Sequence, residues 1–286
     1  MRNFFYPTNL TNLQERFPMT WIRCFFLLFG STFITSQTSA ADEDLNTQLM
    51  RTTFKIIHEK STATGFILKK NNEEKYILIT AAHVLSNTPG DETTLQLRIK
   101  KADDEYTKAP VKVIIRKDGK PLWAKHPTED VAVLWVTPPK NADLSNLSTD
   151  LLASDALLQK HKVHPGDLVS VLGYPHRIES NNAGFPILRH GSIATFPLYP
   201  TAKTRTFFLS GNIFEGDSGG PVSLSKPSST EPNKEDVRLI LGLVSAQQFL
   251  DEDVKLIYGT SKIRHRLGIA IIIHASIINE TIDLLK

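Results

Sequence analysis

"SGNIFEGDSGGPVSL", Ser210 to Leu224, sets a cluster of Gly, Asp, Ser, Gly, Gly and Pro between two segments that read as β-strands. Glycine weakens a strand and marks close backbone approach or an unusual backbone conformation. Three of them, Gly216, Gly219 and Gly220, surround Ser218. Either this is a plain turn, or Ser218 is a nucleophile in a loop whose backbone amides point at a substrate oxygen. The second reading requires a base and an orienting acid elsewhere in the chain.

Working outward, short runs rich in Val, Ile, Leu and Phe alternate with Gly, Asn, Asp and Pro clusters. The first set is Thr53–His58, Ala63–Lys70, Lys75–Thr80, Thr94–Lys101, Pro110–Lys117 and Val131–Thr137. Six such runs predict a closed antiparallel barrel or a sandwich. Residues 138–165 lose β-branched character and read as a connector. A second set follows: Asp167–Pro175, Phe185–Phe196, Arg205–Gly211, Pro221–Ser225, Arg238–Ala246 and Leu267–Ile273. The tail from Ala275 has apolar residues near helical spacing, with Ser276 as a candidate cap. The polar stretch Lys226–Asp236 reads as a loop between strands.

A base is suggested by "YILITAAHVLS", where two alanines let the backbone approach its neighbours and His83 follows at the strand's mouth. Taken alone, His83 could equally be structural. An acid is suggested by Asp130, which abuts "VAVLWV"; a half-buried carboxylate is costly unless paired, though a surface strand-initiating aspartate reads the same way. A serine hydroxyl becomes a good nucleophile when an imidazole can take its proton. A carboxylate then fixes the imidazole's tautomer and stabilises the imidazolium.

"ITAAHVL", "DVAVLWV" and "GDSGGPV" in this order resemble the three catalytic motifs of trypsin/chymotrypsin-like serine proteases. "ATGFILKK" and "GDLVSVLGYP" with "LRHGSIATF" are similar to strands of bacterial members. "LGIAIIIHASIINETIDLL" resembles the closing strand and helix of the HtrA/DegP-like branch, here without a PDZ domain. The resemblance implies an all-β fold of two six-stranded antiparallel β-barrels with a C-terminal helix, at 41–137 and 166–286. His83, Asp130 and Ser218 would be catalytic, and Gly216 and Ser218 would supply the oxyanion-hole amides. Asn212, Ser245, Ala246 and Gln247 would be substrate-binding: Asn212 at the base of the specificity pocket, Ser245 supporting Asp130, the others along the substrate backbone. The neutral Asn212 argues against strict cleavage after Arg or Lys, and Gln247 favours small or mid-sized side chains. With no hydrophobic N-terminus to pair with Asp217, the expected enzyme folds active or is regulated by loop order.

Two rivals use the same letters. Gly216-Asp217-Ser218-Gly219-Gly220 satisfies G-x-S-x-G, but that elbow needs a following helix and a later acid and histidine, whereas Pro221 opens a strand. A catalytically silent protease-like scaffold, with a misordered oxyanion loop, is the alternative from another functional class. His161 and His164 lack an accompanying carboxylate motif, so neither a metal nor another cofactor is expected.

Net charge is +3, of which residues 1–40 contribute +2, so the remainder offers no basic footprint for nucleic acid. The expected partner is a protein or peptide substrate. Residues 1–40 read as a signal peptide: Arg16 and Arg23, the apolar run from Cys24 to Ile34, then Thr38–Ala40. That run falls short of the roughly 18–20 residues that span a bilayer, so no membrane span is expected after processing. An exported protein, periplasmic or secreted, follows. Cys24 is the one cysteine, so the core rather than disulfides must hold the processed chain.

Overall fold

The computed structural model describes residues 43–59, 61–71, 73–226 and 236–286. The signal-peptide reading of residues 1–40 and most of the 226–236 loop lie outside them. Residues Ala41–Lys286 form one contact unit.

The chain opens with helix α1 (Leu45–Thr52). Asp44 caps it by accepting from the Asn46 and Thr47 amides, and Leu45 and Leu49 are buried. Strands β1 (Thr53–His58), β2 (Ser61–Lys69) and β3 (Tyr76–Thr80), short helix α2 (Ala82–Ser86), then β4 (Glu92–Lys100) and β5 (Tyr106–Ile114) follow. After a two-residue ribbon of β6 (Arg116–Lys117) and β7 (Lys120–Pro121) come β8 (Ala124–Lys125) and β9 (Ala132–Val136). The resulting barrel-like antiparallel sheet runs β5-β4-β1-β2-β3-β9-β8. The six expected strands are all present; the two-residue β8, too short to leave a periodic signal, makes a seventh. Burial in β5 alternates residue by residue, as on a half-solvated strand. Its edge position explains how it carries Pro110, which has no amide to donate.

The connector contains helix α3 (Asp155–Lys160), capped by Ser154 through the Leu157 amide. The second half is a closed six-stranded barrel. Its strands are β10 (Leu168–Gly173), β11 (Ile187–Ile193), β12 (Thr206–Ser210), β13 (Pro221–Lys226), β14 (Val237–Leu256) and β15 (Gly259–His274). Helix α4 (Ala275–Ile282) ends the fold and contacts β8 and β9 of the first sheet as well as β14. Its N-cap is His274, with no side-chain cap bond; Ser276 lies within the first turn rather than capping it.

One continuous apolar cluster joins both halves, including Phe66, Ile79 and Val133 of the first sheet, Val171, Val222 and Leu243 of the barrel, and Ile277 and Ile278 of α4. Burial of such side chains contributes roughly 1.5–3 kcal/mol each. The fold is therefore all-β with a closing helix, and its two halves share a core.

β14 and β15 run well past the barrel. From the Phe249–Arg266 pair to the Leu256–Gly259 pair they hydrogen-bond only to each other. Asp251 and Arg264 pair across this ribbon at 2.7 Å, while Leu250, Leu256, Ile257, Tyr258 and Ile263 are exposed.

Candidate active site

β3 delivers the chain to Ala81 and Ala82, both buried against neighbouring backbone, and His83 sits in the first turn of α2. The loop before β9 brings Asp130 to it. Asp130 Oδ1 accepts the His83 backbone N–H at 2.8 Å, and Oδ2 lies 2.6 Å from His83 Nδ1. The Ser245 hydroxyl donates to the same Oδ2 at 2.9 Å. Burial raises the Asp130 pKa, but the hydrogen bonds and charge of His83, with the Ser245 bond, outweigh it and hold the carboxyl below its ordinary value. An ionised carboxylate only accepts, so Nδ1 carries the proton and Nε2 is left as a base.

Ser245 is placed by a bulge. The β14–β15 register shifts between Val244 and Ala246, leaving Ser245 out of the ladder, which re-aims a side chain. Its hydroxyl meets Asp130, and its carbonyl accepts from Ser218 Oγ at 3.4 Å.

Ser218 and His83 line one cavity. The loop carrying Ser218 is tied to β2: Thr64 N–H donates to Ser218 O at 2.9 Å and Thr64 Oγ1 to Gly216 O at 2.7 Å. Thr80 Oγ1 in turn donates to Thr64 O at 2.8 Å. Gly216 and Gly219 have φ of 98° and 85°, in the left-handed region that favours glycine. Space is equally restrictive, since a Cβ at Gly219 would stand 2.2 Å from Thr64 O and one at Gly216 2.2 Å from Tyr174 O. In this conformation the Gly216 and Ser218 amides have no protein acceptor among the described residues. Free N–H groups of this kind are the donors that an oxyanion site requires.

Between them lies Asp217, fully buried, with Oδ1 2.6 Å from Arg189 Nη2 and Oδ2 accepting from Phe214 N–H at 2.7 Å. Burial pushes its pKa up, against the pull of Arg189.

Of the four predicted substrate-binding residues, Ser245 alone hydrogen-bonds to Asp130 and Ser218 among the described residues, and none of the four lines the cavity that His83 and Ser218 share. Asn212 is exposed, and its carbonyl accepts from Arg189 Nη1 at 3.1 Å. Its Oδ1 faces Gly268, 3.7 Å from where a Cβ there would lie. Ala246 and Gln247 pair with Ile271 and Ala270 on β15. Sequence reasoning gave no role to Thr64, Thr80 and Arg189, although they lie within "ATGFILKK", "ITAAHVL" and "LRHGSIATF". His161 caps the end of α3 and His164 lies 3.5 Å from Asp167. No group of three His, Cys, Asp or Glu suited to a metal occurs among the described residues.

Residues 63–226, more than half the chain, match the family model of the trypsin-like peptidase domain. The chain belongs to that family. The matched part of the trypsin-like peptidase domain includes His83, Asp130, Arg189 and Ser218. Among solved structures, the chain is similar to Rv3671c from M. tuberculosis, in an inactive serine-to-alanine form, at 16% identity and a TM-score of 0.45. That alignment covers 85% of this chain and 91% of the other. The protease Anisep from Arthrobacter nicotinovorans is similar at 16% identity and a TM-score of 0.45, covering 82% and 95% of the two chains. No curated protein matches. No helix among the described residues is long and apolar enough to cross a membrane.

Proposed function

We propose that this trypsin-like peptidase is a serine endopeptidase working through an acyl-enzyme, with His83, Asp130 and Ser218 as its triad. The observation that carries the reading is the His83 imidazole, held at 2.6 Å by the Asp130 carboxylate and sharing a cavity with Ser218. Ser218 Oγ attacks the scissile carbonyl carbon while His83 Nε2 takes its proton. The Gly216 and Ser218 amides hold the resulting oxyanion, and loss of one such donor typically costs about 10²–10³ in rate. As the C–N bond breaks, His83 returns the proton to the leaving amine. Water then attacks the acyl-enzyme with His83 again as base, freeing the acid and Ser218.

Asp130 orients the imidazole throughout, and Ser245 holds Asp130. The Ser218–Ser245 hydrogen bond is a resting arrangement; catalytic hydrogen bonds commonly tighten only when substrate is bound. Asn212, Ala246 and Gln247 form the acyl-side binding surface, favouring small or mid-sized residues. The reading extends to the chain's organisation: a signal peptide at 1–40, barrels at 41–137 and 166–286 around a connector, and export to a periplasm or the exterior.

A fluorophosphonate probe tests the chemistry. Wild-type protein should be labelled, and Ser218→Ala and His83→Ala should each lose at least about 10³-fold in labelling rate. Folded wild-type protein that takes no label would overturn the reading in favour of a silent scaffold.

A further inference from the structure

The cavity shared by His83 and Ser218 is lined from the β1–β2 hairpin, α2 and the Ser218 loop, and not by the strand that holds Ser245. It measures about 200 Å³, and Ser245, Ala246 and Gln247 are not among its lining residues. That is below the roughly 300–1,000 Å³ of clefts that take whole small molecules and suits one side chain. Its aliphatic part is Ile56, Ala63 and Val84, and its polar part includes His58, Asn87 and Glu215.

Two features fix which part of a substrate enters. A protonated imidazole must stand beside the leaving nitrogen to deliver its proton, so the side of Ser218 on which His83 lies is the leaving-group side. The cavity is on that side, bounded by His83 and by the β1–β2 hairpin. An occupant therefore follows the scissile bond rather than preceding it.

Charge fixes the chemistry. Among the described residues, Glu215 is the one carboxylate lining the cavity, and none of the lining residues is a lysine or arginine. The Glu215 side chain is exposed and makes no ion pair or hydrogen bond among the described residues. His58 adds a buried Nε2 that lacks a hydrogen-bond partner; the Glu59 carboxylate, at 3.8 Å, is too distant to be one. A long side chain with an apolar stem and a cationic head meets both halves of this lining.

We propose that this cavity is a leaving-group subsite that selects lysine or arginine within the first two residues after the scissile bond, through Glu215. The proposal rests on the serine endopeptidase reading above and supplies a specificity element to it. An acidic residue at the same position is repelled.

The test uses internally quenched peptides sharing one acyl-side sequence. Lys, Arg, norleucine or Glu is placed at each of the first two leaving-group positions. A p-nitrophenyl ester of the same acyl side, which has no leaving-group side chain, runs alongside. Wild type should prefer Lys or Arg over norleucine by about fivefold in kcat/KM, the upper range for an exposed ion pair, and should cleave the Glu peptide worst. In Glu215→Gln the Lys-to-norleucine ratio should fall to about 1, and in Glu215→Lys the order of Lys and Glu should invert. Inversion is a result that misfolding would not produce. Ester hydrolysis with a flat profile, or a cation preference that survives Glu215→Lys, overturns the subsite alone. Silence towards ester and peptides alike overturns it together with the reading beneath it.

Discussion

Arg189 reaches from β11 to Asp217 and closes a 2.6 Å ion pair with a carboxylate that solvent does not touch. Removing one partner of a buried pair leaves an uncompensated charge, a change that typically costs about 3–5 kcal/mol. Because Asp217 sits between the two free amides, that cost is expected to appear as movement of the Ser218 loop. Arg189→Gln should therefore slow fluorophosphonate labelling by at least about tenfold, with Arg189→Lys recovering part of the rate. The pH dependence separates this from general instability. Burial already raises the Asp217 pKa, and losing Arg189 raises it further, so the variant tolerates the neutral acid and not the carboxylate. Its labelling rate relative to wild type should fall as pH rises, which a series of buffers would measure; a constant ratio would contradict this account. His83 and Ser218 stand out in the sequence because close approach leaves marks, alanines before the histidine and glycines around the serine, whereas Asp130 stands out only through the family-like stretch "DVAVLWV". Arg189 leaves none, since one cation on a half-exposed strand looks like any solvated side chain. Thr64 and Thr80 are equally silent, being β-branched residues that strands use everywhere.

His274 joins β15 to α4 and has its ring 4.7 Å from that of Phe207, with Nε2 buried and unpartnered. Burial lowers its pKa to about 4 from an ordinary 6.5, against a smaller upward pull from Asp155. The start of a helix also disfavours a cation. The native state therefore keeps this ring neutral while the unfolded chain takes up a proton. Its contribution is complete above pH 6.5 and is lost as pH falls from there towards about 4. The loss is on the order of 3 kcal/mol. Urea midpoints across this range should show a slope that His274→Phe largely removes; an unchanged slope would place the acid sensitivity elsewhere. The strand runs of both halves are readable because their apolar runs end at turn residues. Helices α1 and α3, at eight and six residues, are too short for periodicity to outweigh their polar composition. The outer parts of β14 and β15 escape notice for another reason: charged residues fill "DEDVK" and "KIRHR", so nothing there reads as core.

The two halves are held together by more than the shared apolar cluster. Arg98 of β4 is buried, with Phe54 and Phe185 rings 4.5 and 4.2 Å from its guanidinium. It donates to the carbonyls of Met50, Arg51, Thr53 and Gly184. One side chain thus satisfies backbone from α1, β1 and the loop before β11, which makes the first sheet and the second barrel interdependent. Against that background the β14–β15 extension is an exception. A two-stranded ribbon without a third strand is marginal in water, and this one presents Ile257 and Tyr258 at 92% and 99% exposure. Residues Leu239–Val244 of the same strand are buried between β13 and β15. Amide protons in the inner segment should exchange with deuterium only through global opening, while those from Leu250 to His265 should exchange through local fraying that costs little. Mass-resolved exchange should then divide β14 near Phe249 into a slow half and a fast half. A single covalent strand keeps two clocks, one set by the whole protein and the other by a hairpin that barely belongs to it.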